Sequence, residues 1–292
     1  MRLSHQPGSS QIRLKMLHAT KDVLPGTKIH GPMKLGFVGT GEITSAMVTG
    51  LSSSVAEPRS IRLSPRSLEA ARDLANRFRN VSIASSNQDV LDHCDTVMIA
   101  VRPQVAESVL SELRFRPEHC VISVVSALSL LRVSEFVAPA TRITRAVPLP
   151  STAKRIGPTA IYPPDRLVED LFAAIGTVFA VETEGEFDAI CAATATIAAF
   201  YAFMQGVASW LSRNSIPEEK ARDYVARMHR GLTSPAIDAP ERSFQSLASA
   251  HATPGGINDQ FLKHLVECGL WESVSEGLDA VMQRITTASR TP

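Results

Sequence analysis

The sequence is poor in the features that mark four common classes of protein. Lysine and arginine number 30 against 29 acids, a net charge of +1, and no basic run is interleaved with aromatic residues, so we expect no nucleic-acid partner. No histidine, aspartate or glutamate grouping has metal-ligand spacing, and the four cysteines lack the paired spacing of a zinc site or redox dithiol. No apolar run approaches the roughly 20 uncharged residues of a membrane span. We therefore expect a cytoplasmic protein without a metal or a membrane partner, its cysteines buried in a reducing compartment.

The chain divides by composition into three parts. Residues 1–32 carry five cations and one acid, with scattered glycine and proline and no apolar core of a secretory signal, which predicts a disordered or alternative-start extension. Residues 33–183 alternate short apolar runs with amphipathic stretches, which predicts an α/β fold with a doubly wound parallel sheet. Residues 184–292 are nearly continuous helix. The predicted strands are Lys34–Val38, Ser60–Leu63, Val81–Ala84, Thr96–Val101, Cys120–Val125, Arg142–Ala146, Thr159–Tyr162 and Thr177–Val181.

The helical part is predicted to contain four helices with apolar residues on several faces, a composition that favours packing against another subunit. Glu186–Arg213 reads as one long helix, about 40 Å at ~1.5 Å per residue. The next helix begins at Pro217, a residue suited to a first turn, and ends before Gly231. The remaining two helices are Gly256–Cys268, stopped by Gly269, and Glu272–Thr286.

A glycine turn directly follows the first predicted strand, and a helix begins just after it. Glycines at this place allow a tight turn and a close approach of the backbone to a pyrophosphate. The helix N-terminus then supplies N–H donors and a favourable dipole. The position of the turn in a series of alternating strands and helices makes the prediction more specific than the glycines alone. The predicted dinucleotide-binding residues are Gly39, Thr40, Gly41, Glu42 and Ile43.

The end of the second predicted strand indicates which dinucleotide is bound. A preference for NADH usually comes from an acid there that accepts from the ribose 2′-hydroxyl, whereas a 2′-phosphate needs cations and hydroxyls. The segment 62–67 has no acid and offers Ser64 and Arg66. NADPH is therefore predicted in preference to NADH.

Four segments match landmarks of one known family, in the same order and at similar separations. They are Met33–Gly41, Ile99–Gln104, Arg145–Pro148 and Thr253–Gly256. As a set, over about Met33 to Ile285, they make the sequence resemble the pyrroline-5-carboxylate reductases.

The resemblance implies a Rossmann domain followed by an all-helical domain that interlocks with its partner in a homodimer or a larger ring. It also implies proline biosynthesis, in which a hydride passes from NAD(P)H to the C=N carbon of pyrroline-5-carboxylate. The nicotinamide side of the cofactor would contact Ala100, Val101, Arg102 and Pro103. The substrate carboxylate would be held by backbone N–H groups at a helix start, the expected place for an anion. The substrate-binding residues would be Thr253, Gly255, Gly256, Ile257 and Asn258.

The sequence departs from this family at several positions around the substrate. Ile257 and Asn258 replace a threonine pair whose second member is thought to hydrogen-bond the imine nitrogen, which makes Asn258 the candidate catalytic residue. Asparagine can donate a hydrogen bond but cannot relay a proton as a hydroxyl can. Around Thr196 and Ile197 the family's glycines and proline are missing, which predicts a straighter helix and a narrower pocket. Two further family residues, an asparagine and a glycine, are replaced by Leu149 and Ala127.

These departures leave alternatives open. The substrate is pyrroline-5-carboxylate, another cyclic imine or an oxo acid, or the protein is a catalytically inactive NADPH-binding regulator. Asp259 either pairs with a cationic substrate group or is simply an acid favoured by the helix dipole. Lys154 and Arg155 either reach an anion or are solvated.

Overall fold

The computed structural model describes residues 33–53 and 59–290, with side chains up to residue 287. The extension predicted for residues 1–32 lies outside the described residues.

The first part of the described chain is an eight-stranded sheet with the strand order β3-β2-β1-β4-β5-β6-β7-β8. All eight predicted strands are present, with ends that shift by at most two residues. Neighbouring strands are parallel except β6 and β7, which are antiparallel. The parallel prediction is wrong for this pair because the connection between them, residues 149–157, is shorter than the dozen or more residues of a crossover. The strands are β1 Lys34–Val38, β2 Ser60–Leu63, β3 Val81–Ile83, β4 Thr96–Ile99, β5 Cys120–Ser123, β6 Arg142–Pro148, β7 Pro158–Tyr162 and β8 Thr177–Ala180.

Helices cover both faces of this sheet. Successive strand residues point to opposite faces, so Phe37 packs in one hydrophobic core and Val38 in the other. Met98 and Ile99 divide between the two cores in the same way. Burial on both faces explains why the strands read as continuous apolar runs. The helices are α1 Glu42–Ser52, α2 Leu68–Arg77, α3 Asn87–His93, α4 Pro103–Leu110, α5 Leu130–Val137 and α6 Arg166–Ala173, and a 3-10 turn spans Pro150–Lys154.

The rest of the described chain is helical, as predicted, but its helices end at different residues. The elements are α7 Glu184–Ala193, α8 Thr196–Arg213, α9 Glu218–Asp238, α10 Phe244–His251, α11 Ile257–Glu267 and α12 Leu270–Arg290. The helix α9 passes through Gly231 and Pro235, so the predicted stop before Gly231 is wrong; a single glycine costs a helix only ~1 kcal/mol. The helix α10, which was not predicted, is capped by Ser243, whose side chain accepts from the N–H of Ser246.

The single helix predicted over Glu186–Arg213 is broken at Thr194 and Ala195, between α7 and α8. The N–H of Ala195 bonds to the carbonyl of Ala192 at 3.0 Å, which is the tighter i→i+3 pattern of a 3-10 turn. The hydroxyls of Thr194 and Thr196 donate to carbonyls three residues back, at 2.7 and 2.8 Å. Threonine hydroxyls compete for helix carbonyls in this way and bend helices. The prediction of one continuous helix over Glu186–Arg213 is therefore wrong.

The helical part exposes many large apolar side chains. Its contact with the sheet is a small core in which Phe187 of α7 and Ile285 of α12 pack with Ala160 of β7. Trp210 is 56% exposed and Trp271 is 50% exposed, and such a surface normally marks an interface. Residues 189–212 carry no charged side chain, so the expectation that no run approaches ~20 uncharged residues is wrong. By length and composition alone, the stretch 184–213 would be long enough to cross a membrane, with a mean hydropathy of 1.6 over 18 residues, but core helices of soluble proteins pass the same test.

Three of the four cysteines are buried as expected. Burial raises the pKa of the thiols of Cys94, Cys120 and Cys191 to about 11, so they stay protonated and unreactive. Cys268 is exposed in the single chain, which corrects the expectation for this residue, because it lies at the C-cap of α11, in the turn before α12.

Candidate cofactor and substrate site

The glycine turn lies between the end of β1 and the start of α1. Gly39 has a φ of +102°, which favours glycine, and a Cβ there would clash with the carbonyl of Ala100. The turn therefore packs directly on the end of β4. No described residue lies within 4 Å of a Cβ built on Gly41, and the exposed Glu42 begins α1 beside it. The turn thus leaves open space next to the N–H groups of a helix N-terminus, where a phosphate is favoured.

Ser64, predicted at the 2′-phosphate, is fully buried at the end of β2. Its Oγ accepts from the N–H of Gly39 at 2.9 Å, and its carbonyl accepts from the hydroxyl of Thr40 at 3.0 Å. The hydroxyl of Thr44, in the first turn of α1, donates to the carbonyl of Gly39 at 2.8 Å and also holds the turn. Ser64 thus stabilises the loop that would cradle the cofactor.

Arg66 is exposed, two residues beyond Ser64, and has no ion pair with any described residue. Arg62, by contrast, is bound to Asp89 at 2.8 Å. No acid follows β2 before Glu69. Of the cations at this strand end, Arg66 is therefore the one available to a 2′-phosphate.

The end of β4 approaches the glycine turn from the other side. The N–H of Ala100 donates to the carbonyl of Val38 at 2.8 Å, which fixes the two strand ends together. Pro103 begins α4, with Arg102 as its N-cap, and both side chains are exposed. The structure thus brings the predicted residues of β1, β2 and β4 to one edge of the sheet.

Two altered family positions lie after β5 and β6. Ala127, where the resemblance expects glycine, has a φ of +58°, so the glycine-like conformation is kept at a cost of roughly 1–2 kcal/mol. Leu149 is half-buried directly after β6 and precedes the 3-10 turn. Ala127 thus adopts a backbone conformation that glycine takes more readily.

Arg145 of β6 is a residue whose partners the sequence analysis missed. Its guanidinium is 1% exposed and its Nη1 donates to Glu184 at 2.8 Å and Asp188 at 2.9 Å. Its Cζ lies 4.5 Å from the ring centre of Phe187, and Glu184 also accepts from the N–H of Leu130 at 2.7 Å. This network ties the sheet to the first helix of the helical part. An arginine in an interior strand needs a buried acid. The two acids four residues apart at the start of α7 are the sequence feature from which this pairing could have been predicted.

The second glycine motif forms the turn between α10 and α11. Gly255 has a φ of +76°, and the N–H of Gly256 donates to the carbonyl of Thr253 at 2.8 Å. Ile257 begins α11 with a side chain that is 84% exposed. Among the described residues, no hydrogen bond joins this turn to the sheet or to the glycine turn of the same chain.

Two side chains of α11 hold this turn from inside. The amide of Asn258 donates to the carbonyl of His251 at 3.0 Å. A carboxylate oxygen of Asp259 accepts from the N–H of Gly255 at 2.9 Å and from Lys263 at 2.8 Å. The hydrogen bonds from Lys263 and Gly255 lower the pKa of Asp259 below its usual value, so this carboxylate is ionised at neutral pH. Asp259 therefore holds the turn through a hydrogen bond that the sequence did not predict.

Comparison with known proteins agrees with this architecture. Residues 34–127 match a family model described as NADP oxidoreductase, coenzyme F420-dependent, and residues 184–288 match pyrroline-5-carboxylate reductase dimerisation. The pyrroline-5-carboxylate reductase of Vibrio alginolyticus is 24% identical over 261 residues, which covers 86% of this chain and 96% of the relative.

Solved structures of pyrroline carboxylate reductases share the fold of this chain. The 1-pyrroline-5-carboxylate reductase of Streptococcus pyogenes aligns over 88% of this chain and 99% of its own, with 27% identity and a TM-score of 0.77. The Plasmodium falciparum pyrroline carboxylate reductase with NADP bound shares the fold at a TM-score of 0.75 and 21% identity, over 88% and 98% of the chains.

The fold and the glycine turn define an oxidoreductase with a Rossmann domain and a helical dimerisation domain. The matched domains, the curated relatives and the solved structures together support a divergent member of the pyrroline-5-carboxylate reductases, which are NAD(P)H-dependent oxidoreductases.

Proposed function

We propose that the protein transfers a hydride from NADPH to the C=N carbon of a cyclic imine, with pyrroline-5-carboxylate, reduced to proline, as the reference substrate. The observation that carries this proposal is the geometry of the glycine turn. Gly39 packs on Ala100, and open space remains at Gly41 beside the start of α1. A side chain at Gly39 would clash with the end of β4, and a side chain at Gly41 would fill the cradle that a pyrophosphate needs.

The cofactor supplies the hydride, and the protein supplies its position. The N–H groups at the start of α1 would hold the pyrophosphate, with Thr40, Glu42 and Ile43 beside it. Arg66 would bind the 2′-phosphate by a charge-assisted hydrogen bond. Ser64 would act on the cofactor through the glycine turn that it braces. The segment Ala100–Pro103 would flank the nicotinamide.

The turn 253–258 would place the imine, and catalysis would come mainly from orientation and proximity. Asn258 would donate to the imine nitrogen only after releasing the carbonyl of His251, so water is the simpler proton source. Because this turn has no hydrogen bond to the sheet within one chain, we propose that a homodimer, formed through the apolar helical surface, completes the pocket. This use of the surface also fits a cytoplasmic protein.

A second candidate substrate, another cyclic imine or an oxo acid, is favoured by the engagement of Asn258 with His251. The remaining alternative is a regulator that binds NADPH without catalysis, which would use the same cofactor cradle. Purified protein is therefore assayed for NADPH oxidation with pyrroline-5-carboxylate, with 1-pyrroline and with a panel of 2-oxo acids.

Saturable NADPH oxidation with an imine supports the proposal. Turnover with 2-oxo acids alone contradicts imine reduction. Tight NADPH binding without turnover on any of these compounds contradicts the reductase function and favours a regulator.

A further inference from the structure

The start of α11 already holds a carboxylate that belongs to the chain itself. Asp259 is the third residue of α11, and its Oδ2 receives the N–H of Gly255, in the turn before the helix, at 2.9 Å. The side chain of Asp259 is only 16% exposed. The N–H groups of Gly255 and Gly256, two of those that an incoming anion would use, are therefore already satisfied within the turn.

The charge of Asp259 also acts against a second anion. The N-terminus of a helix carries roughly half a positive charge, so one full negative charge more than offsets it. Like charges held close together repel each other, so the charge of Asp259 opposes the entry of a second anion.

The nearest cation does not restore the balance. Lys263 lies one helical turn further on, and its Nζ is bound to the same oxygen of Asp259 at 2.8 Å. It is 68% exposed, so its charge is largely screened by solvent. Among the described residues of the turn 253–258 there is no lysine or arginine.

We infer that Asp259 determines specificity by disfavouring a substrate carboxylate, so that the preferred substrate is a cyclic imine with no carboxylate on its ring. A protonated ring imine is a cation, which the charge of Asp259 attracts. The inference rests on the proposed reductase function and narrows its substrate class. The inference also explains why Asp259 lies next to Ile257 and Asn258, which replace the family's threonine pair. A site that no longer binds a carboxylate does not need the residues that bound it.

The test uses two imines that differ only in the carboxylate, 1-pyrroline and pyrroline-5-carboxylate. The specificity constant kcat/KM is measured for each with the wild-type protein and with Asp259→Asn. Asparagine keeps an oxygen that can accept from Gly255, so the turn is preserved while the charge is lost. The matched control is Glu267→Gln, which removes one negative charge at the far end of the same helix.

We expect wild-type protein to prefer 1-pyrroline at least tenfold. Asp259→Asn should shift the ratio of specificity constants at least tenfold towards pyrroline-5-carboxylate, mainly through its KM, and Glu267→Gln should leave the ratio within twofold of wild type. The inference is overturned if wild-type protein prefers pyrroline-5-carboxylate, or if Asp259→Asn leaves the ratio within twofold.

A binding measurement separates this inference from the proposed function. The Kd values of L-proline and of pyrrolidine are determined for the complex with NADP⁺, which needs no turnover. Tighter binding of proline alone in Asp259→Asn supports the inference even if neither imine is reduced, a result that would sink the reductase proposal. An equal change in both Kd values, or none, overturns the inference.

Discussion

The side-chain amide of Asn258 donates to the carbonyl of His251 at 3.0 Å, which links the start of α11 to the end of α10. Asn258, the predicted catalytic residue, is thus engaged in holding the turn. A hydrogen bond of this kind contributes about 0.5–1.5 kcal/mol.

Asn258→Ala should therefore loosen the turn with little effect on the proton transfer itself. We expect KM for the best imine to rise several-fold and kcat to change by less than about threefold, which steady-state kinetics measure. Asn214→Ala is the control, since that amide likewise donates to a helix carbonyl, of Trp210 at 2.9 Å, outside the site. A fall in kcat of a hundredfold at unchanged KM would instead make Asn258 the proton donor.

Ser64→Ala should weaken both the fold and cofactor binding. It leaves the N–H of Gly39 without its buried acceptor, which costs about 1–3 kcal/mol, and it frees the turn that Ser64 braces. Thermal unfolding and NADPH titration measure the two effects. Ser67→Ala is the control, because Ser67 is exposed and its side chain makes no capping hydrogen bond. Unchanged NADPH affinity in Ser64→Ala would contradict the bracing role.

Arg66→Ala should lower affinity for NADPH more than for NADH. A charge-assisted hydrogen bond contributes roughly 1.5–3 kcal/mol, so we expect the Kd for NADPH to rise about tenfold or more while that for NADH stays within threefold. Arg72→Ala, at an exposed position on α2, controls for net charge. Equal losses for both cofactors would exclude Arg66 from the 2′-phosphate site.

Arg145→Met should strongly destabilise the protein, because it leaves two acids of α7 without their buried cation. Removing one partner of a buried ion pair costs about 3–5 kcal/mol, which urea unfolding measures. Arg132→Met, which breaks the exposed pair with Glu135, should cost no more than about 1 kcal/mol. Similar losses in the two variants would show that the buried network adds little to stability.

The sheet and the cofactor edge were predictable from the sequence because periodicity and glycine position report local geometry directly. The break at Thr194 was not, since side-chain competition for helix carbonyls leaves the apolar pattern unchanged. The role of Ser64 depends on a contact with Gly39, 25 residues away. The position of Ser64 at the end of a strand does not by itself tell whether its hydroxyl faces the cofactor or the glycine turn. The interaction of Asp259 with Gly255 was missed because the helix dipole favours an acid in the first turn whichever group its oxygens contact.

Isotope transfer tests the central claim most directly. The protein is incubated with NADPH that carries deuterium at both positions of nicotinamide C4 and with 1-pyrroline or pyrroline-5-carboxylate, and the product is analysed by mass spectrometry. The account predicts an amine one mass unit heavier, with deuterium on the former imine carbon. Unlabelled product, or no product from either imine while NADPH is bound, would contradict it.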